Sequence, residues 1–244
     1  MKIYGLIGNP LGHSFSQKYF TAKFERENIK DCEYQNFEIK NLQKEINSLK
    51  NNPLISGLNV TIPYKNDVIS FLDEASEVCK EINACNCIKV VDKKWFGFNT
   101  DVIGFKSTFI PHLQLQHTKA LILGTGGSSK AVAYVLKNIG IDFLSVSRKG
   151  DGSAGIINYE SLSKELMDEF TIVINTTPLG MFPNVGAHPQ IPYQYITYKH
   201  YFFDLIYNPA RTAFLSKAAA MGAIVENGER MLAIQAEESW KIWS

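Results

Sequence analysis

The chain carries almost no excess of either charge: 25 Lys and Arg stand against 24 Asp and Glu, a formal net charge of +1. Without a whole-protein field nothing draws it broadly to nucleic acid or to an anionic membrane, so any anion must be held by locally placed residues. Long apolar runs are missing too, and no stretch approaches the ~18 residues of a membrane span. The first apolar run, Ile3 to Ile7, is broken by Gly5 and ended by Asn9-Pro10, so it cannot serve as a secretory signal core. A cytoplasmic protein is expected. Cysteine is sparse: Cys32, Cys79, Cys85 and Cys87 are the whole set. Cys85-Asn86-Cys87 resembles a metal fragment only superficially, because His112 and His117 lie in a polar stretch and no second pair sits at ligand spacing. Reduced thiols acting as small hydrophobes are expected, with no metal. Repeats and low-complexity tracts are absent as well.

What is present describes a globular chain. Its 244 residues, 45% hydrophobic and 20% charged, suit one large domain or two small ones. The pattern alternates strand and helix. Strands are expected at 3–8, 32–39 and 54–62, helices at 16–28, 41–50, 64–73 and 76–82, and a hairpin of 85–91 with 95–99 around Asp92-Lys93-Lys94. After Asp101 the character changes. Residues 120–124 form a continuous apolar run, as in a strand buried on both faces, and 127–139 form a helix stopped by Gly140. Strands at 142–147, 171–176, 201–206 and 223–226 then alternate with helices at 159–168, 211–221 and 229–242. Such alternation argues for an α/β fold with parallel sheets, and the change of character places a boundary near residue 102.

Gly124-Thr125-Gly126-Gly127-Ser128-Ser129 follows a predicted strand and opens a predicted helix. Glycines there let the backbone approach a pyrophosphate, which the free N–H groups of the helix start would receive. Ser129 occupies the place of the third glycine, so the motif is a variant. The following strand ends at Ser147-Arg148-Lys149 rather than at an acid. Arg grips a phosphate with a planar fork, so NADP (NADPH) is expected over NAD. An acid at that position is also what a methyltransferase would want, so Arg148 argues against that class.

In the first part of the chain, three runs of small polar residues each follow or end an apolar strand: 8–16, 57–65 and 99–101. Hydroxyls, amides, one Lys and one Asp suit a small polyhydroxylated acid. These runs and others, taken together, resemble the shikimate dehydrogenase family. The resemblance runs in order through HSxS at 13–16, NVTxPxK at 59–65, NACN at 83–86 and NTDxxG at 99–104. It continues through GTGG at 124–127, NTTPLGM at 175–181, DLIYNPxxT at 204–212 and NGxxMLxxQ at 227–235.

The resemblance implies an N-terminal α/β substrate domain (1–102 with 229–244), a C-terminal Rossmann-like NADP-binding domain (103–228) and a cleft between them. It implies reversible reduction of 3-dehydroshikimate by NADPH, on the route to chorismate and aromatic amino acids. Lys65 and Asp101 would be catalytic. Ser14 and Ser16 would bind the substrate carboxylate, and Asn59, Thr61, Asn86, Tyr207 and Gln235 the rest of the substrate. Gly124, Gly126, Gly127, Ser128, Arg148, Thr176, Met181 and Gly228 would serve the cofactor. The partners expected are small molecules, with no nucleic acid or membrane, for a monomer or homodimer. Two alternatives remain open: a quinate/shikimate dehydrogenase with relaxed cofactor use, and a dinucleotide-binding regulator without catalysis.

Local readings stand beside these roles. Ser16 suits the N-cap of the following helix, and His13 suits the turn before it. Lys65 sits at the start of a predicted helix, where the dipole disfavours a cation, so stability alone is a poor reason for it. Gln17, Tyr19 and Phe20 replace the Pro and His-Asn that family members often carry after HSxS, and Cys85 replaces a more usual Val or Leu.

Overall fold

The computed structural model describes residues 1–12, 14–150 and 155–244; His13, weighed above, lies outside the described residues. The chain divides into two compact units, Met1–Thr100 with Ala236–Ser244, and Asp101–Gln235.

The first unit is built in chain order from β1 (Lys2–Gly8), α1 (Phe15–Arg26), β2 (Cys32–Glu38), α2 (Leu42–Lys50) and β3 (Ile55–Val60). It continues with β4 (Glu74–Ala75), α3 (Glu77–Ile82), β5 (Cys87–Val91) and β6 (Lys94–Phe98). The sheet order is β2-β1-β3-β5-β6-β4. β1 runs parallel to β2 and β3, while β5 is antiparallel to both β3 and β6. The β5–β6 hairpin turns on Asp92 and Lys93, both at positive φ (50° and 64°), the backbone a two-residue loop demands.

Alternation along the strands sorts side chains to two faces. Ile3, Ile7, Leu58 and Val60 join Ile46 and Trp95 in one core. Tyr4 and Leu6 join Phe20, Phe24, Tyr34 and Trp243 in the other. Trp243 comes from α8 (Glu229–Trp243), the last helix, whose Ala236, Trp240 and Ile242 also join this core. The Trp243 ring lies over Gly57, where an added Cβ would sit 2.5 Å from the indole, and its N–H donates to the Ile88 carbonyl at 2.9 Å.

The second unit contains α4 (Asp101–Phe109), β7 (Lys119–Leu123), α5 (Gly127–Asn138), β8 (Asp142–Ser147), β9 (Ile156–Asn158) and α6 (Lys164–Glu169). β10 (Ile172–Asn175), β11 (Tyr201–Asp204), α7 (Ala213–Ala220) and β12 (Ile224–Glu226) follow, with α8 up to Gln235. Its sheet order is β12-β11-β10-β7-β8-β9, and every pairing is parallel. Counted from β7, this is the 3-2-1-4-5-6 order of a doubly wound dinucleotide fold, whose direction of winding reverses between β7 and β10. Both faces are buried: Leu121, Leu123, Val173 and Phe202 on one, Ile122, Ile174 and Phe203 on the other.

Four local expectations differ from the structure. Residues 64–73 form turns and a short 3₁₀ helix, Asp67–Phe71, so Lys65 precedes any helix and the dipole argument for it lapses. The expected helix at 159–168 is a 3₁₀ turn followed by α6. β9 and α4 were not anticipated. α4 is built on residues of modest helix propensity and is held by burial of Gly104, Phe105, Thr108 and Phe109 on one face.

Candidate active site

In the first unit the candidate residues cluster after β1 and β3. Ser14, not Ser16, is the N-cap of α1, its hydroxyl accepting from the Gln17 N–H at 3.4 Å. Ser16 lies buried inside the helix and hydrogen-bonds Tyr34, whose hydroxyl pKa burial pushes well up while the bond from Ser16 pulls it down. Phe20 stacks on Tyr34 with centroids 4.7 Å apart, and Gln17 accepts from Asn36, so the unusual residues after HSxS seat α1 on β2.

Asn59 is buried on β3. Its Oδ1 accepts from Tyr34 at 2.8 Å, and its Nδ2 donates to the Asn86 carbonyl at 3.2 Å and to Ser239 Oγ at 2.9 Å. Asn86 is gripped from both ends by Thr100: Nδ2 donates to Thr100 Oγ1 at 3.0 Å, and Oδ1 accepts from Thr100 N–H at 2.7 Å. Thr61 is half-buried just past β3, with its N–H donating to Ile7 O at 2.8 Å. Lys65 is half-buried in the next turn, where its carbonyl accepts from the Cys85 N–H at 2.7 Å, one residue from Asn86. Cys79, Cys85 and Cys87 are buried free thiols and Cys32 is half-buried; burial pushes Cys87 up to about 12, which leaves it inert.

In the second unit Asp101 opens α4 and is buried, at the helix end that suits an acid. The glycine loop joins β7 to α5. Gly124 has φ +108°, and an added Cβ would stand 2.8 Å from Thr176 Oγ1. Thr176 follows β10 and ties back to β7 through Oγ1 and N–H, both donating to Leu123 O, at 2.7 and 3.0 Å. Gly124 and Thr176 therefore meet where the sheet's winding reverses, the place such folds bind nucleotides. Gly126 is the N-cap of α5 with no capping side chain, no acid follows in the first turn, and a Cβ on Gly126 would meet nothing. Gly127 and Ser128 are the first residues of that helix. Such a helix start fits a pyrophosphate.

Arg148 is exposed directly after β8, and its charge lowers the otherwise burial-raised pKa of Tyr159. Met181 is exposed, with its N–H donating to Pro178 O at 3.2 Å. Tyr207 is half-buried beyond β11. Gly228 is buried at the start of α8, its N–H donating to Ile206 O at 3.1 Å. Gln235 is buried on α8 and its Nε2 donates to Leu232 O at 3.1 Å.

Sequence reasoning left several polar residues without a role. Thr100 and Ser239 bind the two asparagines. Asn175, Asp204 and Thr212 form a second buried cluster: Asp204 accepts from Thr212 Oγ1 at 2.6 Å, from Asn175 Nδ2 at 3.0 Å and from the Ile206 N–H at 3.0 Å. Burial pushes the Asp204 carboxyl up to about 6 despite these donors. Their signal was a polar residue ending an otherwise apolar strand, IVIN and YFFD. No helix among the described residues is long and apolar enough to cross a membrane.

The family model described as the shikimate dehydrogenase substrate binding domain matches residues 6–88. A shikimate dehydrogenase (NADP(+)) of Clostridium beijerinckii is 39% identical over 255 residues, covering 99% of this chain and 92% of that protein. Among solved structures, shikimate dehydrogenase 1 from Peptoclostridium difficile matches with a TM-score of 0.88 at 37% identity, over 100% of this chain and 91% of that one. Shikimate 5-dehydrogenase from Thermus thermophilus, in complex with NADP(H) and shikimate, matches with a TM-score of 0.86 at 26% identity, over 100% and 94%.

Proposed function

The chain belongs to the shikimate dehydrogenase family, and we propose that it reversibly reduces 3-dehydroshikimate to shikimate with NADPH, using Lys65 and Asp101 as its acid–base residues. It is an NADP-dependent oxidoreductase acting on a CH–OH group. The observation that carries the reading is the junction of Gly124 with Thr176 where the all-parallel sheet reverses its winding, beside an uncapped α5 and ahead of a strand, β8, that Arg148 directly follows. That arrangement supports a dinucleotide, and the cation at the end of the second strand supports a 2′-phosphate.

NADPH, when bound, supplies the hydride that converts the carbonyl to the alcohol. The chain's own residues do the rest. The carbonyl oxygen gains a proton as the hydride arrives, and Lys65 is the proposed donor, and the acceptor in the reverse direction. Asp101 is the proposed carboxylate of the same proton chemistry. Ser14 and Ser16 bind the substrate carboxylate; the lone pair by which Ser14 caps α1 leaves its O–H to donate. Thr61, Asn86, Tyr207 and Gln235 take the ring hydroxyls. Gly124, Gly126, Gly127 and Ser128 cradle the pyrophosphate, Arg148 the 2′-phosphate, and Thr176, Met181 and Gly228 the nicotinamide side. The first unit thus supplies Ser14, Ser16, Thr61, Lys65 and Asn86 to the substrate, and the second supplies Asp101, Tyr207 and Gln235 together with the cofactor residues. A cytoplasmic setting suits the four free cysteines.

The test is absorbance at 340 nm with shikimate and quinate each offered with NADP+ and NAD+. Turnover is expected with shikimate and NADP+, and it should be the most efficient pair. Absence of turnover with every pair overturns the reading.

A further inference from the structure

Asn59 reads from sequence as a substrate ligand, yet its polar atoms are already engaged inside the fold. Oδ1 accepts from Tyr34, and the two amide hydrogens go to the Asn86 carbonyl and to Ser239 Oγ. Ser239 is fully buried on α8; its Oγ accepts from Asn59 and also lies 3.3 Å from Thr100 Oγ1, within hydrogen-bond reach. Thr100 in turn holds the Asn86 amide by both ends. The result is one continuous run of hydrogen bonds, Tyr34 to Asn59 to Ser239 to Thr100 to the side chain of Asn86. Every member is buried: Tyr34 and Asn59 at 4% exposure, Asn86 at 3%, Thr100 at 1% and Ser239 at 0%.

We propose that Asn59 and Ser239 are positioning residues, which set the orientation of Asn86 for the substrate hydroxyl rather than touching the substrate themselves. The inference rests on the reading of the first unit as the substrate unit. An amide can be rotated by half a turn with little change of shape, exchanging its donor and acceptor. In Asn86 the Thr100 N–H forbids that exchange, because it needs the oxygen where it is. Ser239, packed 3.3 Å from Thr100 Oγ1, holds that hydroxyl where Asn86 Nδ2 donates to it. Removing the Ser239 hydroxyl leaves an Asn59 N–H buried without an acceptor and frees the Thr100 hydroxyl to turn, a disturbance that reaches Asn86 through two bonds.

The experiment is steady-state kinetics of Ser239→Ala, Tyr34→Phe and the double variant, with melting temperatures alongside. Ser239→Ala should raise KM for shikimate on the order of tenfold, leaving KM for NADP+ within about twofold. Tyr34→Phe, which acts on the far side of Asn59, should raise the same KM, and the two effects should fall short of multiplying in the double variant because both pass through Asn59. A Ser239→Ala enzyme that melts earlier but keeps its KM for shikimate overturns the proposal, as do effects that multiply in the double variant. If Ser239→Ala does not fold, an unchanged KM in Tyr34→Phe overturns it equally. Lack of turnover in the wild-type chain is a different outcome: it removes the functional reading, and the proposal with it.

Discussion

Asp204→Asn offers a sharp test of how the cofactor unit is held together. The carboxyl is fully buried at the end of β11, and its pKa stands at about 6 against 3.8 for an ordinary aspartate. Burial raises it; Thr212, the Ile206 N–H and Asn175 pull it back without cancelling the rise. Between those two values the folded protein holds a proton that the unfolded chain has already released. Stability from this group is therefore full below about pH 4 and falls as pH climbs to about 6, where the folded carboxyl ionises. A difference of roughly two units corresponds to about 3 kcal/mol. Asparagine does not titrate. It keeps an oxygen for Asn175 and Ile206, and its amide group can donate to Thr212. Any cost of that rearrangement is the same at every pH. Carboxyls whose pKa is lowered, such as Asp73 and Glu237, lose stability as pH falls in variant and parent alike. They cancel in the difference. Urea unfolding followed by circular dichroism at pH 4, 5, 6 and 7 should show the variant gaining on the parent by about 3 kcal/mol across the series. Two stability curves that run parallel over this range would refute the reasoning.

Lys65→Ala should lower kcat by roughly 10²–10⁴ with little change in KM, the range for losing a general acid, read by steady-state kinetics. Arg148→Ala should weaken NADPH recognition by on the order of 1.5–3 kcal/mol while leaving efficiency with NADH near that of the parent. Equal losses with both cofactors would separate Arg148 from the 2′-phosphate. Gly124→Ala places a side chain at φ +108° against Thr176, so it should lower stability by about 1–3 kcal/mol in thermal or urea unfolding and raise KM for NADP+.

The second sheet was legible because its strands announce themselves. ALIL and IVI are apolar without a break, as expected of strands covered on both faces. The glycine loop was legible by its place between strand and helix. α4 was not, because Val102, Ile103, Gly104 and Thr108 are modest helix formers and the packing of Phe105 and Phe109 decides the matter. The four-residue spacing of Asp101, Phe105 and Phe109 was the signal available. β9 has three residues and exists only as an edge partner of β8, which no local pattern reveals. The capping serine was misplaced by two positions since Ser14 and Ser16 are equally good caps in isolation; the turn that returns the Ser14 N–H to Leu11 O makes the choice. Asn59 illustrates a deeper limit. Its type and motif agree with a ligand, and only the placement of Tyr34 and Ser239 around it reveals where its hydrogen bonds go.

The order in which the chain leaves the ribosome gives Trp243 a further importance. With Ala236, Trp240 and Ile242 of its own helix it closes a core otherwise made by residues 4 to 98, and it bonds to Ile88 from 155 positions away, so the first unit's strands emerge long before the indole that covers Gly57. The second unit, contiguous from Asp101 to Gln235, has all its strands available while the first still waits. Synthesis therefore reverses the order of completion: the unit begun first is sealed last, and its open face, lined by Tyr4, Phe20 and Phe24, is the surface a chaperone would meet on the nascent chain.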